Sequence, residues 1–197
     1  MPKTPDCAMR IAPVTERWNE GERDWSFVRD PRAAIEVWEG LESVSLPADY
    51  RAFMLRYNGG RIYPRMFRTP AAMQVLLGPY VATSDVTYVD PIHDWATVEA
   101  HWRGQVYGQG VPPAHLLIAS TPGAIQLLMA LAPTNRGEIC AWIHSTDAWG
   151  TDRNQQIWPL AMGFGEFLDE LFDDEQRSDY LDWRRPIYDT LAKVLQR

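Results

Sequence analysis

The chain of 197 residues contains only two cysteines, and neither Cys7 nor Cys140 stands in a CxxC pair or at any other metal-ligand spacing. That excludes a disulfide-stapled scaffold and a zinc-held domain, and it suits a reducing compartment. Long hydrophobic runs are missing too. The longest mostly apolar stretch, AIQLLMALA at 124–132, is about half of the roughly 20 residues that a membrane-spanning helix requires. The opening MPKTPDCAMRIAPVTER lacks the apolar centre of a secretory signal, so no cleaved leader is expected. Positive charge is scarce. Nineteen basic against twenty-six acidic side chains give a formal charge of -7, which argues against a cationic surface for nucleic-acid phosphates and favours a basic partner. Internal repeats and low-complexity tracts are absent, and no linker separates a second domain. With 46% hydrophobic and 23% charged residues, the remaining expectation is one soluble, cytoplasmic globular domain with no membrane partner.

What is present is patterned. Residues 1–30 carry Trp18, Trp25 and Phe27, more aromatic surface than a solvated tail needs, and are expected to pack on the core as an N-terminal extension. Asp30-Pro31, a cap residue followed by proline at the first helical position, precedes Ile35, Trp38 and Leu41 at helical spacing and predicts a helix over 31–41. In LPADYRAFMLRYNGG, residues 46–60, Pro47 opens a helix with an apolar stripe of Tyr50, Phe53, Met54 and Tyr57, and Asn58-Gly59-Gly60 supplies a left-handed stop. RIYPRMF and MQVLLGPYV read as strands, the first demoted to an edge or bulge by Pro64. Asp90-Pro91 repeats the cap-and-proline signal and places Trp95, Val98 and Trp102 on a helix ending near Gly104.

HLLIAS, AIQLLMALA and EICAWIHS, separated by TPG and PTNRG, read as consecutive antiparallel strands at the centre of the sheet. IWPLAMGFGEFLDELFDD starts extended and becomes a helix, with Gly163 as its cap and Glu166 at the capping-box position. Leu160, Phe164, Phe167, Leu168, Leu171 and Phe172 share its apolar face. From Ser178 onward Tyr180, Ile187, Leu191 and Val194 continue a helical pattern that Pro186 must kink, which makes 176–197 a C-terminal helical extension.

Chemistry is hard to build from these residues. His93 and His101 fall on one predicted helix, eight residues and about 80° apart, whereas two metal ligands on one face need a spacing of four; both read as surface or capping residues. His115 starts one strand and His144 ends another, a placement that would allow them to be cross-strand neighbours, without a Glu or Cys at ligand spacing. Asp90, His93 and Asp94 offer a base and an orienting carboxylate for a hydrolase or transferase, but no serine or cysteine stands on a GxSxG-type elbow. Gly104, Gly108 and Gly110 make a glycine-rich loop that runs into Val111-Pro112-Pro113, with no helix N-terminus behind it to hold a phosphate. No catalytic, metal or cofactor residue is assigned.

Two features remain as candidates for binding a partner. Glu166, Asp169, Glu170, Asp173, Asp174, Glu175, Asp179 and Asp182 crowd into residues 166–182 against the single Arg177. They form either the solvated back of an amphipathic helix or a docking face for a cationic protein. Trp149, in the polar loop AWGTDRNQQ, is either a core residue or an interface anchor.

Three segments, in order, resemble the SUKH superfamily, the bacterial immunity proteins related to a fungal cell-wall assembly regulator. LPADYRAFMLRYNGG resembles its N-terminal helix ending in a glycine pair and contributes Leu46, Pro47, Tyr50, Phe53, Asn58, Gly59 and Gly60. LLIASTPGAIQLLMAL followed by GEICAWIHS resembles its two core strands, which end near Trp142. WPLAMGFGEFLDEL resembles its closing helix, with Trp158, Phe164, Phe167 and Leu168; Gly163 departs from the family's common serine cap. The resemblance implies a single α+β domain over 31–175, a central twisted, mainly antiparallel sheet with helices packed against it, and no catalytic apparatus. It also implies a protein partner. Many members neutralise a bacterial toxin, often a nuclease or deaminase, in the cytoplasm of the producing cell, and a basic toxin domain suits the acid excess here. A regulatory or scaffolding domain of the same fold is the alternative reading.

Overall fold

The computed structural model describes residues 30–60, 62, 64–73, 86–104, 110–121, 125–144 and 155–172. The expectations for residues 1–29, for Trp149, for most of MQVLLGPYV, and for Asp173, Asp174 and the C-terminal extension lie outside the described residues.

Proline opens the first two helices. α1 (Arg32–Glu42) follows Pro31, and the Asp30 carboxylate accepts from the Arg32 N–H at 3.0 Å. It buries Ile35 and Trp38, but Leu41 is 70% exposed. The expected stripe fails at Leu41 because steps of three residues fall about 60° short of a full turn each, leaving it about 120° away from Ile35. Glu39 accepts from the Leu46 N–H at 2.8 Å and from Arg51 Nε at 3.3 Å, which ties the end of α1 to the start of α2 (Ala48–Tyr57). α2 buries Tyr50, Phe53 and Met54 and stops where expected: Asn58 is left-handed at φ 49°, and Gly59 and Gly60 follow at φ 83° and 120°. A Cβ on Gly59 would lie 2.7 Å from backbone atoms of His93 and Asp94, so glycine is required there on two counts.

The main sheet is antiparallel, in the order β3 (His115–Ser120), β4 (Ile125–Ala130), β5 (Ile139–Ile143), β6 (Ile157–Ala161). β3, β4 and β5 run near-continuously apolar because both faces are covered there, whereas the edge strand β6 exposes Pro159. Leu116, Leu127, Met129, Ile139 and Ala141 face the helices, whereas Leu117, Leu128, Cys140 and Trp142 form a second small cluster with Val111 and Ile157. His115 pairs with Ala130 and Ile143 with Ile125, so His115 and His144 sit at opposite ends of β4 and are not neighbours. A smaller pair, β1 (Met66–Arg68) and β2 (Val86–Tyr88), is extended by an antiparallel bridge from Met66 to Phe172. Of RIYPRMF, the last two residues, Met66 and Phe67, lie in β1, beyond Pro64, and the strand runs on to Arg68.

The Asp90-Pro91 signal does not start a helix. Asp90 N–H donates to the Ser120 carbonyl and His93 N–H to that of Ile118, both at 2.8 Å, while Ile92 bridges both Gly60 and Ala119. This stretch is extended, as a residue before proline favours. Helix α3 (Trp95–Trp102) begins at Asp94, whose carboxylate accepts from the Thr97 N–H at 2.8 Å. The buried Asn58 side-chain oxygen accepts from the Trp95 N–H at 3.0 Å, so the residue that stops α2 also starts α3. Trp38 meets Trp95 and Trp102 edge-on, each at 5.4 Å, and locks α1 to α3. Among the described residues no helix is long and apolar enough to cross a membrane.

Candidate protein-binding surface

Among the described residues, two places bear on the polar candidates named above. The first surrounds His93, which lies before α3 and not on it. Its ring is 5.2 Å from that of His101, and its Nε2 is 3.3 Å from Ser120 Oγ. Neither histidine is the surface residue expected, since His101 is buried and His93 half-buried. Burial holds His93 down to about 4, His101 beside it pushes the same way and Asp94 opposes; burial also lowers His101. A serine beside a neutral histidine invites comparison with a nucleophile and its base, but the proton is committed elsewhere. Ser120 Oγ donates to Gln126 Oε1 at 2.7 Å, the shorter of its two contacts, and lies 3.3 Å from His93 Nε2. Asp94, the expected orienting carboxylate, is occupied as the α3 cap. The cluster is a polar seam between the 90–93 segment and β3.

The second place is α4 (Phe164–Glu170) and its surroundings. Phe164, Phe167 and Leu168 are buried, and Tyr50 and Phe53 of α2 each hold the Phe164 ring at 5.1 Å. Glu166, Asp169 and Glu170 are exposed on the opposite side, so the structure brings three of the eight acidic candidates to one face, and the other five lie outside the described residues. The helix is shorter than expected. Leu171 is already extended, and Phe172 leaves to pair with Met66, so neither Phe172 nor Leu160 of β6 belongs to the helix face. Glu166 bonds the Met162 N–H at 2.7 Å, one residue before the cap position of the expected capping box. Gly163 has no cap side chain; instead Asp49, in the first turn of α2, accepts from the Gly165 N–H at 2.8 Å. That carboxylate does what a serine at 163 would do.

Beside the acidic face lies a groove that the sequence did not suggest. It has a volume of about 150 Å³ and is lined by Phe67, Arg68, Leu160, Phe167, Glu170 and Phe172. Phe67 and Phe167 meet at 5.8 Å to form its floor, and the Arg68 guanidinium stacks over Phe172 at 5.5 Å. No periodicity could have exposed it, because its walls come from β1, β6, α4 and the residue after α4. Met162, in the turn between β6 and α4, is 72% exposed.

Of the motif residues, Leu46, Tyr50, Phe53, Asn58, Gly59, Trp142, Trp158, Phe164, Phe167 and Leu168 are buried, and Pro47 and Gly60 are half-buried. They build the frame that carries the α4 face. Among the described residues no three His, Cys, Asp or Glu side chains gather closely enough to hold a metal. Compared with known families, residues 32–170 match the model described as SMI1 / KNR4 family (SUKH-1). No curated protein matches the chain.

Proposed function

Because the chain belongs to the SMI1 / KNR4 family (SUKH-1), we propose that it is a protein-binding domain without catalytic activity, and that it serves as an immunity protein by neutralising a basic bacterial toxin in the cytoplasm. The observation that carries this reading is the exposed acidic face of α4, held rigidly by its buried apolar side and by Asp49. Like charges on a fixed helix act through a field that salt screens over about 8–10 Å, and they accelerate the approach of a cationic partner. Affinity itself rests on a few desolvated anchors, for which Trp149 is one candidate. Compatible with the same reading, the Ser120 hydroxyl donates to Gln126 at 2.7 Å.

The test uses the full chain and the protein encoded beside it, with stopped-flow association at two ionic strengths. Replacing Asp169, Asp173 and Asp174 together with asparagine should slow association and flatten its salt dependence while leaving dissociation nearly unchanged. Trp149→Ala should raise the dissociation rate and leave the salt slope alone. A triple variant with wild-type association and salt slope refutes steering by this face. Capture of a partner that is not a toxin would instead favour the regulatory or scaffolding role.

A further inference from the structure

We propose that the groove between β1, β6 and α4 receives one large apolar side chain of the partner protein, presented next to a lysine or arginine whose cation rests on Glu170. This deepens the reading of the domain as a binder of a basic protein and rests on it. The groove is the right size: an apolar cavity of about 150 Å³ admits a benzene-sized ring. It is also built of fixed parts. Phe67 and Phe167 are 4% and 1% exposed, and Phe172 is held by two backbone hydrogen bonds with Met66 at 3.0 and 3.1 Å. A rigid apolar slot of this kind is what an interface anchor fills.

The charges decide what accompanies the anchor. Glu170 makes no hydrogen bond or ion pair among the described residues, and it stands on the same helix as the exposed Glu166 and Asp169. Across the groove, the Arg68 guanidinium lies on the Phe172 ring. A cation on the α4 side, following an apolar side chain into the slot, meets the open carboxylate and avoids Arg68. The exposed ion pair alone contributes little, and the buried apolar group supplies most of the selectivity.

The test uses the full chain and two fluorescein-labelled pentapeptides in a polarisation assay. One has a phenylalanine between two lysines; the other has alanine in place of the phenylalanine. The first should bind at least about tenfold more tightly. Glu170→Gln should weaken it by about threefold, and Leu160→Trp, which fills the slot from its edge, should abolish the advantage of phenylalanine. Equal binding of the two peptides overturns the proposal. So does an absence of binding, the outcome expected if the chain's own residues after Phe172 occupied the slot.

With the toxin partner, Leu160→Trp should speed dissociation without changing the salt slope. An unchanged dissociation rate there removes the groove and leaves the acidic-face reading standing. Peptide selectivity without any basic protein partner keeps the groove and removes that reading.

Discussion

Asp49→Ala offers the sharpest test of how the α4 face is held. The Asp49 carboxylate serves two helices at once: one oxygen accepts from the Tyr50 N–H in the first turn of α2, and the other from the Gly165 N–H in the first turn of α4, each at 2.8 Å. Removing a cap acceptor costs about 0.5–2 kcal/mol, and losing a negative charge at a helix N-terminus about 0.3–1 kcal/mol. Together these place Asp49→Ala at about 2 kcal/mol. With a urea slope of about 2.5 kcal/mol/M, the midpoint of unfolding, followed by tryptophan fluorescence, should fall by about 0.8 M. Asp49→Asn keeps one of the two acceptor oxygens and loses the charge and one of the two hydrogen bonds, so a loss of about 1–1.5 kcal/mol is expected, smaller than that of Asp49→Ala. The decisive arm is Gly163→Ser. Gly163 is extended at φ -166°, which serine adopts freely, and an added Cβ would make an ordinary 3.6 Å contact with Asp49. A serine hydroxyl there would accept from the same Gly165 N–H, so it should restore about 1 kcal/mol in the Asp49→Ala background and change wild type by less than about 0.5 kcal/mol. If Asp49→Ala lies within about 0.5 kcal/mol of wild type, or Gly163→Ser helps equally in both backgrounds, the shared cap is wrong.

Burial lowers the folded-state value of His93 to about 4, so its contribution is intact above the unfolded value near 6.5 and is lost as pH falls toward 4. Between pH 8 and pH 5 stability should drop by about 2 kcal/mol on this account, and His93→Gln should flatten much of that profile in paired urea titrations; an unaltered profile counts against it. Asn58→Ala removes the acceptor for the buried Trp95 N–H and puts at φ 49° a residue that tolerates the left-handed region less well than asparagine, for an expected loss of about 2–3 kcal/mol, with Asn58→Gly milder because glycine tolerates that φ. The reverse order of those two variants would be inconsistent with a left-handed cap. Phe167, 1% exposed, should cost about 3–5 kcal/mol on truncation to alanine, measured by the same unfolding assay. A loss below about 1 kcal/mol would show that the α4 contact is not a packed core.

The sequence by itself determined the features that depend on neighbours within a turn or on the pleat of a strand. The stripe of Tyr50, Phe53 and Met54, the stop at Asn58, the three central strands and the buried and exposed sides of α4 all follow from spacing and from backbone preferences at proline and glycine. The acidic candidates were legible for the same reason, since an amphipathic helix sorts Glu166 and Asp169 away from Phe167. Tertiary structure decided where one local rule had two equal claimants. Both Asp90 and Asp94 are competent caps; the hydrogen bonds of the 90–93 segment to β3, and the Asn58 oxygen on Trp95, select Asp94. It also made every polar contact between distant parts of the chain. Ser120 reaches His93, and Asp49 caps a helix 116 residues away, because the sheet closes against helices from both ends of the described chain. The groove beside Glu170 belongs to this second class. Its six walls are ordinary residues in sequence, and only the bridge between Met66 and Phe172 brings β1 beside α4 to make them a cavity.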